Sequence, residues 1–334
     1  GAGTPLTVLD ERRDSWATMT SKVSVLSVFI AIAAGFASAL AFASLVGGSP
    51  MAVPAFAAAP LPLMVVGLAF GPVAAVIGGG VAIVTLQLGL GTPAALMEFG
   101  AMALPSVVLS HLSGRSVTVD GVERWYPVGA IVTAAAVLMA VATLAGALAI
   151  GFDVEATTRE VVAAFRHAMA EGGVSPAELP DAMALEPFVR ASVRLMPAFF
   201  PAFWTLVLML DLVIAAKIAR RFAGFARPAE DVAMMTPPLA VGMVFAAGFA
   251  GAFLPGSLGI LAAIAAGAAF APLFLAGMGV LTVITRGSDM RWILRATAYG
   301  LVLLFPIAAL VMALVGLVDG FFSLRRGRHP GAAD

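Results

Sequence analysis

The sequence predicts an all-α fold, a polytopic bundle of about nine transmembrane helices, and three observations support this prediction. Of the 334 residues, 61% are hydrophobic and 11% are charged, whereas a soluble protein carries about 25% charged residues. The apolar residues form runs of about 20, the length that crosses a bilayer. These runs are apolar on every side, without the single apolar stripe of a helix on a soluble protein. The composition excludes both a soluble domain and a disordered chain.

Nine apolar segments can be drawn along the chain. Each must be helical, because lipid offers no partner for an unpaired backbone amide. The predicted spans are 25–46, 52–70, 72–90, 93–112, 128–150, 196–216, 236–254, 258–285 and 296–318. The second span is the least regular, since Pro54, Pro60 and Pro62 interrupt it and proline removes a helix hydrogen bond. It is either a kinked helix braced by its neighbours or broken backbone that lines a cavity.

The distribution of lysine and arginine predicts a multi-pass protein of the cell (inner) membrane with a cytoplasmic N-terminus. In that orientation 12 of the 19 basic residues lie on the cytoplasmic side, as the positive-inside rule requires. Nine crossings, however, would place Arg325, Arg326 and Arg328 outside, so the side of the C-terminus stays open. The predicted parts are a cytoplasmic segment 1–24, a six-helix membrane bundle 25–221, three further helices in 222–318 and a polar tail 319–334.

The polar segment 151–195 is predicted to be folded on the extracytoplasmic side. One helical face would hold Val161, Val162, Phe165, Ala168 and Met169. Ser175 to Glu178 has the pattern of a capping box with proline at the first helical position, which predicts a helix start. Such an amphipathic element is expected either to lie on the membrane surface or to cover the bundle as a lid.

Two acidic residues lie inside predicted spans, where an ionisable group is costly and points to function. Asp211 shares a helical stripe with Phe200 and Trp204, and an acid beside aromatic rings suits a cationic or hydrogen-bonding ligand. The structural alternative for Asp211 is a hydrogen bond between helices. The candidate substrate-binding residues are therefore Trp204, Asp211 and the second acid, Glu98.

Glu98 lies near the start of the fourth span. Thr92 is the expected helix cap and Pro93 occupies the first turn, so the positive end of the helix dipole would favour the carboxylate. Its helical face is otherwise made of small residues. Glu98 is predicted either to have a structural or interfacial role or to form a polar site in a cavity.

The sequence contains no recognised catalytic or cofactor-binding motif. With no cysteine, thiolate metal sites and thiol nucleophiles are excluded, and His111, His167 and His329 lack the spacing of metal ligands. We therefore expect no enzyme activity, no metal site and no cofactor. Equal numbers of acidic and basic residues give no indication of a nucleic-acid partner. The expected partners are the lipid bilayer, a small-molecule ligand and another membrane protein.

The C-terminal sequence from Val315 to Arg326 resembles the ending of the YybS-like predicted membrane proteins, a family of unknown function. That family closes with a Gly-Leu-hydrophobic-Asp sequence, an aromatic residue and a basic pair, which Asp319, Arg325 and Arg326 match here. The Pro-Leu-Pro-Leu sequence at 60–63, followed by Gly-Pro, is similar to the N-terminal pattern of the same family. It is also similar to that of the substrate-binding subunits of energy-coupling-factor transporters.

The second resemblance implies a six-helix bundle in about the first 220 residues, with three helices added behind it. Those subunits bind a small molecule near the outer surface, under loops, but no ligand-contacting residue carries over to this chain. A transporter-like small-molecule binding protein is therefore expected, with a solute entering between the segment 151–195 and the irregular second span. The alternative is a scaffold or regulator that packs against other membrane proteins. Asp319 is expected to pair with arginine at the membrane edge.

Overall fold

The computed structural model describes the chain in six stretches, 24–48, 50–119, 122–173, 181–229, 232–286 and 288–325. Seven helical segments in these stretches are long and apolar enough to cross a membrane, and two shorter apolar helices cover Leu239–Gly251 and Pro306–Phe322. The prediction of an all-α polytopic bundle is confirmed.

The chain divides into two compact units. The first comprises Gly1–Ala135 and Leu206–Glu230, and the second comprises Ala136–Thr205 and Asp231–Asp334. The division predicted from the sequence, with a boundary at residue 221, stays a prediction.

Six helices make up the start of the first unit, and each of the last four has a proline at its first or second position. The helices are α1 (Val25–Ala43), α2 (Ala52–Ala57), α3 (Pro60–Phe70), α4 (Pro72–Gly89), α5 (Thr92–Glu98) and α6 (Leu104–Ser113). A 3-10 turn, Ser44–Gly47, follows α1, and a π-helical turn, Phe99–Ala103, separates α5 from α6. The irregular second span is thus two helices, α2 and α3. Pro60 begins α3, where a missing amide hydrogen costs no bond.

A β-hairpin follows α6, an element that the sequence analysis did not predict. Its strands are β1 (Ser116–Val119) and β2 (Val122–Trp125), which pair antiparallel. The 6%-exposed side chain of Arg227 holds the hairpin end against α6. It donates to the carbonyl oxygens of Tyr126, at 2.8 Å, and Ser113, at 3.3 Å. An arginine at the carbonyl end of α6 also complements the helix dipole.

Two long helices, α7 (Val128–Ala149) and α9 (Ala182–Ala223), contribute residues to both units. Between them lies α8 (Val154–Glu171), whose N-terminus is capped by the Asp153 carboxylate, which accepts from the amide of Ala156 at 2.7 Å. The predicted apolar face of α8 is buried only at Val162, whereas Val161 and Phe165 are exposed. The predicted capping box at 175–178 lies outside the described residues.

The described remainder of the second unit contains a 3-10 turn, Val232–Met234, and four α-helices. They are α10 (Leu239–Gly251), α11 (Gly256–Ile284), α12 (Arg291–Leu304) and α13 (Pro306–Phe322). The predicted ninth span, 296–318, is wrong, because the chain breaks inside it. Phe305 is extended, with φ −129° and ψ 107°, as expected of a residue whose helical conformation would clash with a following proline. Pro306 then begins a new helix.

Helices α11 and α13 run parallel and touch through their backbones. A Cβ on Gly277 would overlap the carbonyl oxygen of Met312, and a Cβ on Gly316 would overlap that of Leu273. Since Cα–Cβ bonds tilt towards the helix N-terminus, each glycine faces the residue one turn N-terminal to its partner glycine. This reciprocal relation holds for parallel helices. Helix α13 therefore points its C-terminus to the same end of the unit as α11.

Both ends of the α12–α13 pair lie at the C-terminal end of α11. Near the start of α12, Arg295 donates to the carbonyl oxygen of Thr282 at 2.8 Å. After α13, Arg325 donates to the carbonyl oxygen of Ala233 at 2.6 Å. That oxygen also lies 2.6 Å from the position that a Cβ on Gly279 would occupy. The C-terminal helices thus leave one end of the unit and return to it. The number of membrane crossings in the last third of the chain stays a prediction.

Candidate functional site

Glu98 is the last residue of α5 and is completely buried in the first unit. Its helix begins one residue earlier than predicted, because Gly91 is the cap and Thr92 is already helical. The carboxylate accepts a hydrogen bond at Oε1 from Ser38 of α1, with 2.9 Å between the oxygens. Oε2 is buried and has no hydrogen-bond partner among the described residues. Glu98 is therefore a buried acid with one bonded and one unsatisfied oxygen.

The irregular backbone around Glu98 brings further oxygen atoms to the same place. Ser38 Oγ lies 2.8 Å from the carbonyl oxygen of Ala59, at the break between α2 and α3. One residue on, the carbonyl oxygen of Pro60 accepts from the hydroxyl of Ser106 at 3.3 Å. We call Ser38, Ala59 and Glu98 the Glu98 site. It joins a carboxyl, a hydroxyl and a helix-break carbonyl, as substrate and ion sites of discontinuous membrane helices do.

The π-helical turn directly after Glu98 has a cause in the sequence. Pro105 has no amide hydrogen to donate to the carbonyl of Ala101, so the α-helical ladder cannot continue there. The amide of Leu104 instead donates to the carbonyl of Phe99, five residues back. Turns of this kind are frequent at functional sites.

Asp211, the second predicted acid, lies on the buried stripe of α9 in the first unit and is 4% exposed. Its Oδ2 has no hydrogen-bond partner among the described residues. No hydrogen bond or ion pair joins it to Glu98 among the described residues. Trp204 belongs to the second unit, where it is buried and stacks on Phe200 with ring centroids 6.1 Å apart.

Asp319 and Arg325, the residues of the C-terminal motif, form a buried ion pair in the second unit. The guanidinium donates to Oδ2 of Asp319 from both Nε, at 3.0 Å, and Nη2. The same guanidinium donates to the carbonyl oxygens of Ala233 and Met235, at 2.6 and 3.0 Å. Each nitrogen of the Arg325 guanidinium thus donates to an acceptor within the protein. This arrangement indicates a structural role for the ion pair. Arg326 lies outside the described residues.

The second unit also contains an open cavity of about 310 Å³, a size at the lower end of small-molecule sites. Its walls are the start of α8, one turn of α9 and the connection between α10 and α11. The lining residues are Val154, Glu155, Arg190, Arg194, Ala252, Phe253, Leu254, Pro255, Gly256, Gly259 and Ile260. We call it the Arg190 cavity. Part of the segment 151–195 lines it, and the predicted solute entry between that segment and the irregular second span stays a prediction.

The groups of the Arg190 cavity that can bind an anion are its arginines and one helix N-terminus. Two of its lining side chains are arginines and one is a glutamate. The N-terminus of α11 also lines it, and no acidic residue or side-chain cap compensates that helix end. Its first-turn amides and the positive end of its dipole are therefore available to a negatively charged group.

Each arginine of the cavity also has protein partners. Arg190 donates to Glu186 Oε1 at 2.6 Å and pairs with Glu155 Oε2 at 2.9 Å. Arg194 donates to the carbonyl oxygen of Ala252 at 3.2 Å, which caps the end of α10. The sequence analysis missed this cavity. A signal was present, since arginines four residues apart lie on one face of a helix.

The long apolar helices and the polar groups buried among them define a multi-pass helical membrane protein, embedded in the lipid bilayer. More closely, the chain belongs to the family described as Predicted membrane protein (DUF2232), whose model matches residues 39–320. That range includes Glu98, Asp211 and Asp319 and ends before Arg325. No curated protein and no solved structure matches the chain.

Proposed function

We propose that this protein is a transporter-like binding component for a small anionic solute, and that the Arg190 cavity is its binding site. The observation that carries the proposal is the joint presence of two arginines and an uncompensated helix N-terminus around one cavity. Arginine binds carboxylate and phosphate through two parallel hydrogen bonds. The function is binding and passage, without a catalytic step. The resemblance of the sequence at 60–63 to transporter substrate-binding subunits supports a binding function.

The orientation that we propose places the cavity on the extracytoplasmic side. Four arginines lie at the other end of the second unit, close to the C-terminal end of α11; they are Arg286, Arg291, Arg295 and Arg325. The cavity end has four arginines as well, so the orientation follows from the whole-chain count, in which 12 of the 19 basic residues, Arg286, Arg291 and Arg295 among them, lie on the cytoplasmic side. A solute would then reach the cavity from outside the cell, beside α8. Residues 1–24 would lie in the cytoplasm.

Thermal stability of the purified protein tests the proposal. Small carboxylates and organic phosphates are expected to raise the melting temperature, whereas neutral and cationic analogues are not. Arg190→Gln and Arg194→Gln are each expected to weaken anion binding about 10- to 100-fold, because a hydrogen bond to a charged group contributes about 1.5–3 kcal/mol. Arg159→Gln is the matched control, since this exposed arginine of α8 does not line the cavity.

Two outcomes would overturn the proposal. One is that no anion raises the melting temperature of the wild-type protein. The other is that the stabilisation survives in the Arg190→Gln, Arg194→Gln double variant. Arg194→Gln also removes the hydrogen bond that caps α10, so this variant could fold poorly. In that case the Arg190→Gln variant alone still tests the proposal.

A scaffold or regulator is the second candidate, and the tight packing of the second unit favours it. A Cβ on Gly267 would overlap the carbonyl oxygen of Ala198, and Gly277 meets Met312 in the same way. Backbones in such contact leave no room for a solute path between them. This candidate predicts a membrane protein that copurifies in a fixed ratio after mild solubilisation. It also predicts that cavity variants leave that copurification unchanged.

A further inference from the structure

In the Glu98 site, two acceptor oxygens lie around a hydroxyl group that has only one hydrogen to donate. Ser38 Oγ lies within hydrogen-bond distance of two oxygens, Ala59 O at 2.8 Å and Glu98 Oε1 at 2.9 Å. A serine hydroxyl carries one hydrogen and can donate to one of them. If both short contacts are hydrogen bonds, a second hydrogen must come from Glu98. A carboxyl group supplies that hydrogen when it is protonated.

Among the described residues, no cationic side chain is paired with Glu98. Between Val23 and Ser110 the sequence contains no titratable residue except Glu98, so α1 to α4 contribute none. Helix α6 contributes His111 at its far end, and the α9 part of this unit contributes Asp211, Lys217, Arg220 and Arg221. No ion pair joins any of these to Glu98 among the described residues, and the Glu98 side chain is completely buried. A buried carboxylate without a cation is costly.

We propose that the Glu98 site is a proton-binding site, independent of the anion cavity, in which Glu98 carries an exchangeable proton. In the loaded state the Glu98 carboxyl donates through Oε1 to Ser38 Oγ, and Ser38 donates its own hydrogen to the Ala59 carbonyl. When the proton leaves, Ser38 turns its hydrogen to the carboxylate, and the Ala59 carbonyl loses its donor. The O–H bond of the Glu98 carboxyl breaks and its proton passes to water, leaving a carboxylate, and no other covalent bond forms or breaks. The heavy-atom distances suit both states.

This arrangement gives the proton a structural consequence. Ala59 is the residue before α3, at the break that separates α3 from α2. The protonation state of Glu98 therefore determines whether the hydroxyl of Ser38 donates to the Ala59 carbonyl at the break or to the Glu98 carboxylate. The unsatisfied Oε2, which is buried, is the second oxygen from which the proton can exchange. Protonation at this site would bias the angle between α2 and α3.

Infrared spectroscopy of the protein in lipid nanodiscs, made with isotope-labelled glutamate, tests the proposal at neutral pH. The wild-type protein is expected to show the carbonyl band of a protonated glutamic acid, which moves on transfer to heavy water. Glu98→Gln should remove the band, and Asp211→Asn should leave it unchanged. Ser38→Ala should keep the band but shift it, because the acid loses its acceptor.

Several results would overturn the proposal. The band could be absent from wild-type protein, survive Glu98→Gln, or fail to move in heavy water. A loss of the band when sodium chloride replaces choline chloride would identify sodium as the occupant instead of a proton. Glu98→Gln retains a donor for Ser38, so it is expected to fold. Ser38→Ala keeps Glu98, so the shift of its carbonyl band is an independent test of the hydrogen bond to Ser38.

Discussion

The side chains of Asp319 and Arg325 pair in the interior of the second unit, where their exposed fractions are 2% and 6%. The pairing depends on how α13 ends. Ser323 adopts a left-handed conformation, with φ 50°, and this turns the chain back so that Arg325 reaches the last turn of the helix. The remaining donors of Arg325 bind the segment before α10. One side chain thus fixes the end of the described chain to two elements.

We expect Arg325→Ala to lower the free energy of unfolding by about 3–5 kcal/mol, because it leaves the Asp319 carboxylate buried without its partner. Arg325→Lys should restore little, since lysine lacks the planar fork that serves three acceptors. A double-mutant cycle with Asp319→Ala, measured by denaturation in detergent, should give a coupling of about 0.5–3 kcal/mol. A coupling near zero would contradict this. Arg159→Ala, at an exposed position, is the control.

The return of α12 and α13 to one end of the second unit predicts a labelling pattern. The chain has no cysteine, so single cysteines report cleanly. Asp289→Cys and Leu324→Cys, both exposed, should react with an impermeant thiol reagent from the same side of the membrane. Ser257→Cys, at the other end of the roughly 43 Å long α11, should react from the opposite side. Labelling of Asp289→Cys and Leu324→Cys from opposite sides would restore the predicted ninth span.

Hydropathy predicted most of the helices, because it depends on local composition. It failed where tertiary packing determines whether a helix continues. Pro306 breaks the predicted ninth span, whereas Pro197 in α9 and Pro272 in α11 lie within continuous helices. A proline removes one hydrogen bond in every case. Whether the helix continues depends on neighbours that brace it, and composition does not identify them. The short β-hairpin was missed for a similar reason, since strands of four residues give too brief a pattern.

The candidate site shows the same division between local and distant information. The cost of a charge in lipid was enough to single out Glu98 from the sequence. Its bonding partner, Ser38, lies 60 residues away on another helix, and no sequence pattern joins the two. The Arg190 cavity depends likewise on a connection between α10 and α11 that meets α8 and α9 only in the folded unit. Residue types were thus predictable and their assembly was not.

The contact between α11 and α13 predicts a sharp difference between two glycines. Gly277→Ala should destabilise the protein by about 1–3 kcal/mol, because its Cβ would overlap the Met312 backbone, which cannot yield as a flexible side chain would. Gly300→Ala, in α12, meets nothing within 4 Å and should stabilise the helix by about 0.5–1 kcal/mol. Thermal denaturation of both variants in the same detergent checks this. Equal effects would mean that α11 and α13 do not touch at Gly277.

Asp211 provides the last prediction, which separates a structural acid from a binding one. Its Oδ2 is buried and has no hydrogen-bond partner among the described residues, so the acid carries a desolvation cost that no bond offsets there. Replacing such a group with an apolar one of similar size is often neutral or stabilising. Asp211→Leu should therefore leave the melting temperature of the purified protein unchanged or raise it.

The same variant should behave differently if Asp211 binds something in the membrane. A ligand or partner helix that satisfies Oδ2 would stabilise the wild-type protein by mass action, and Asp211→Leu would lose that stabilisation. Melting temperatures should therefore be compared in native membrane vesicles and in detergent. A drop of Asp211→Leu below wild type in vesicles alone would indicate such a partner. A drop in both would contradict the prediction, because the acid would then be satisfied within the chain itself.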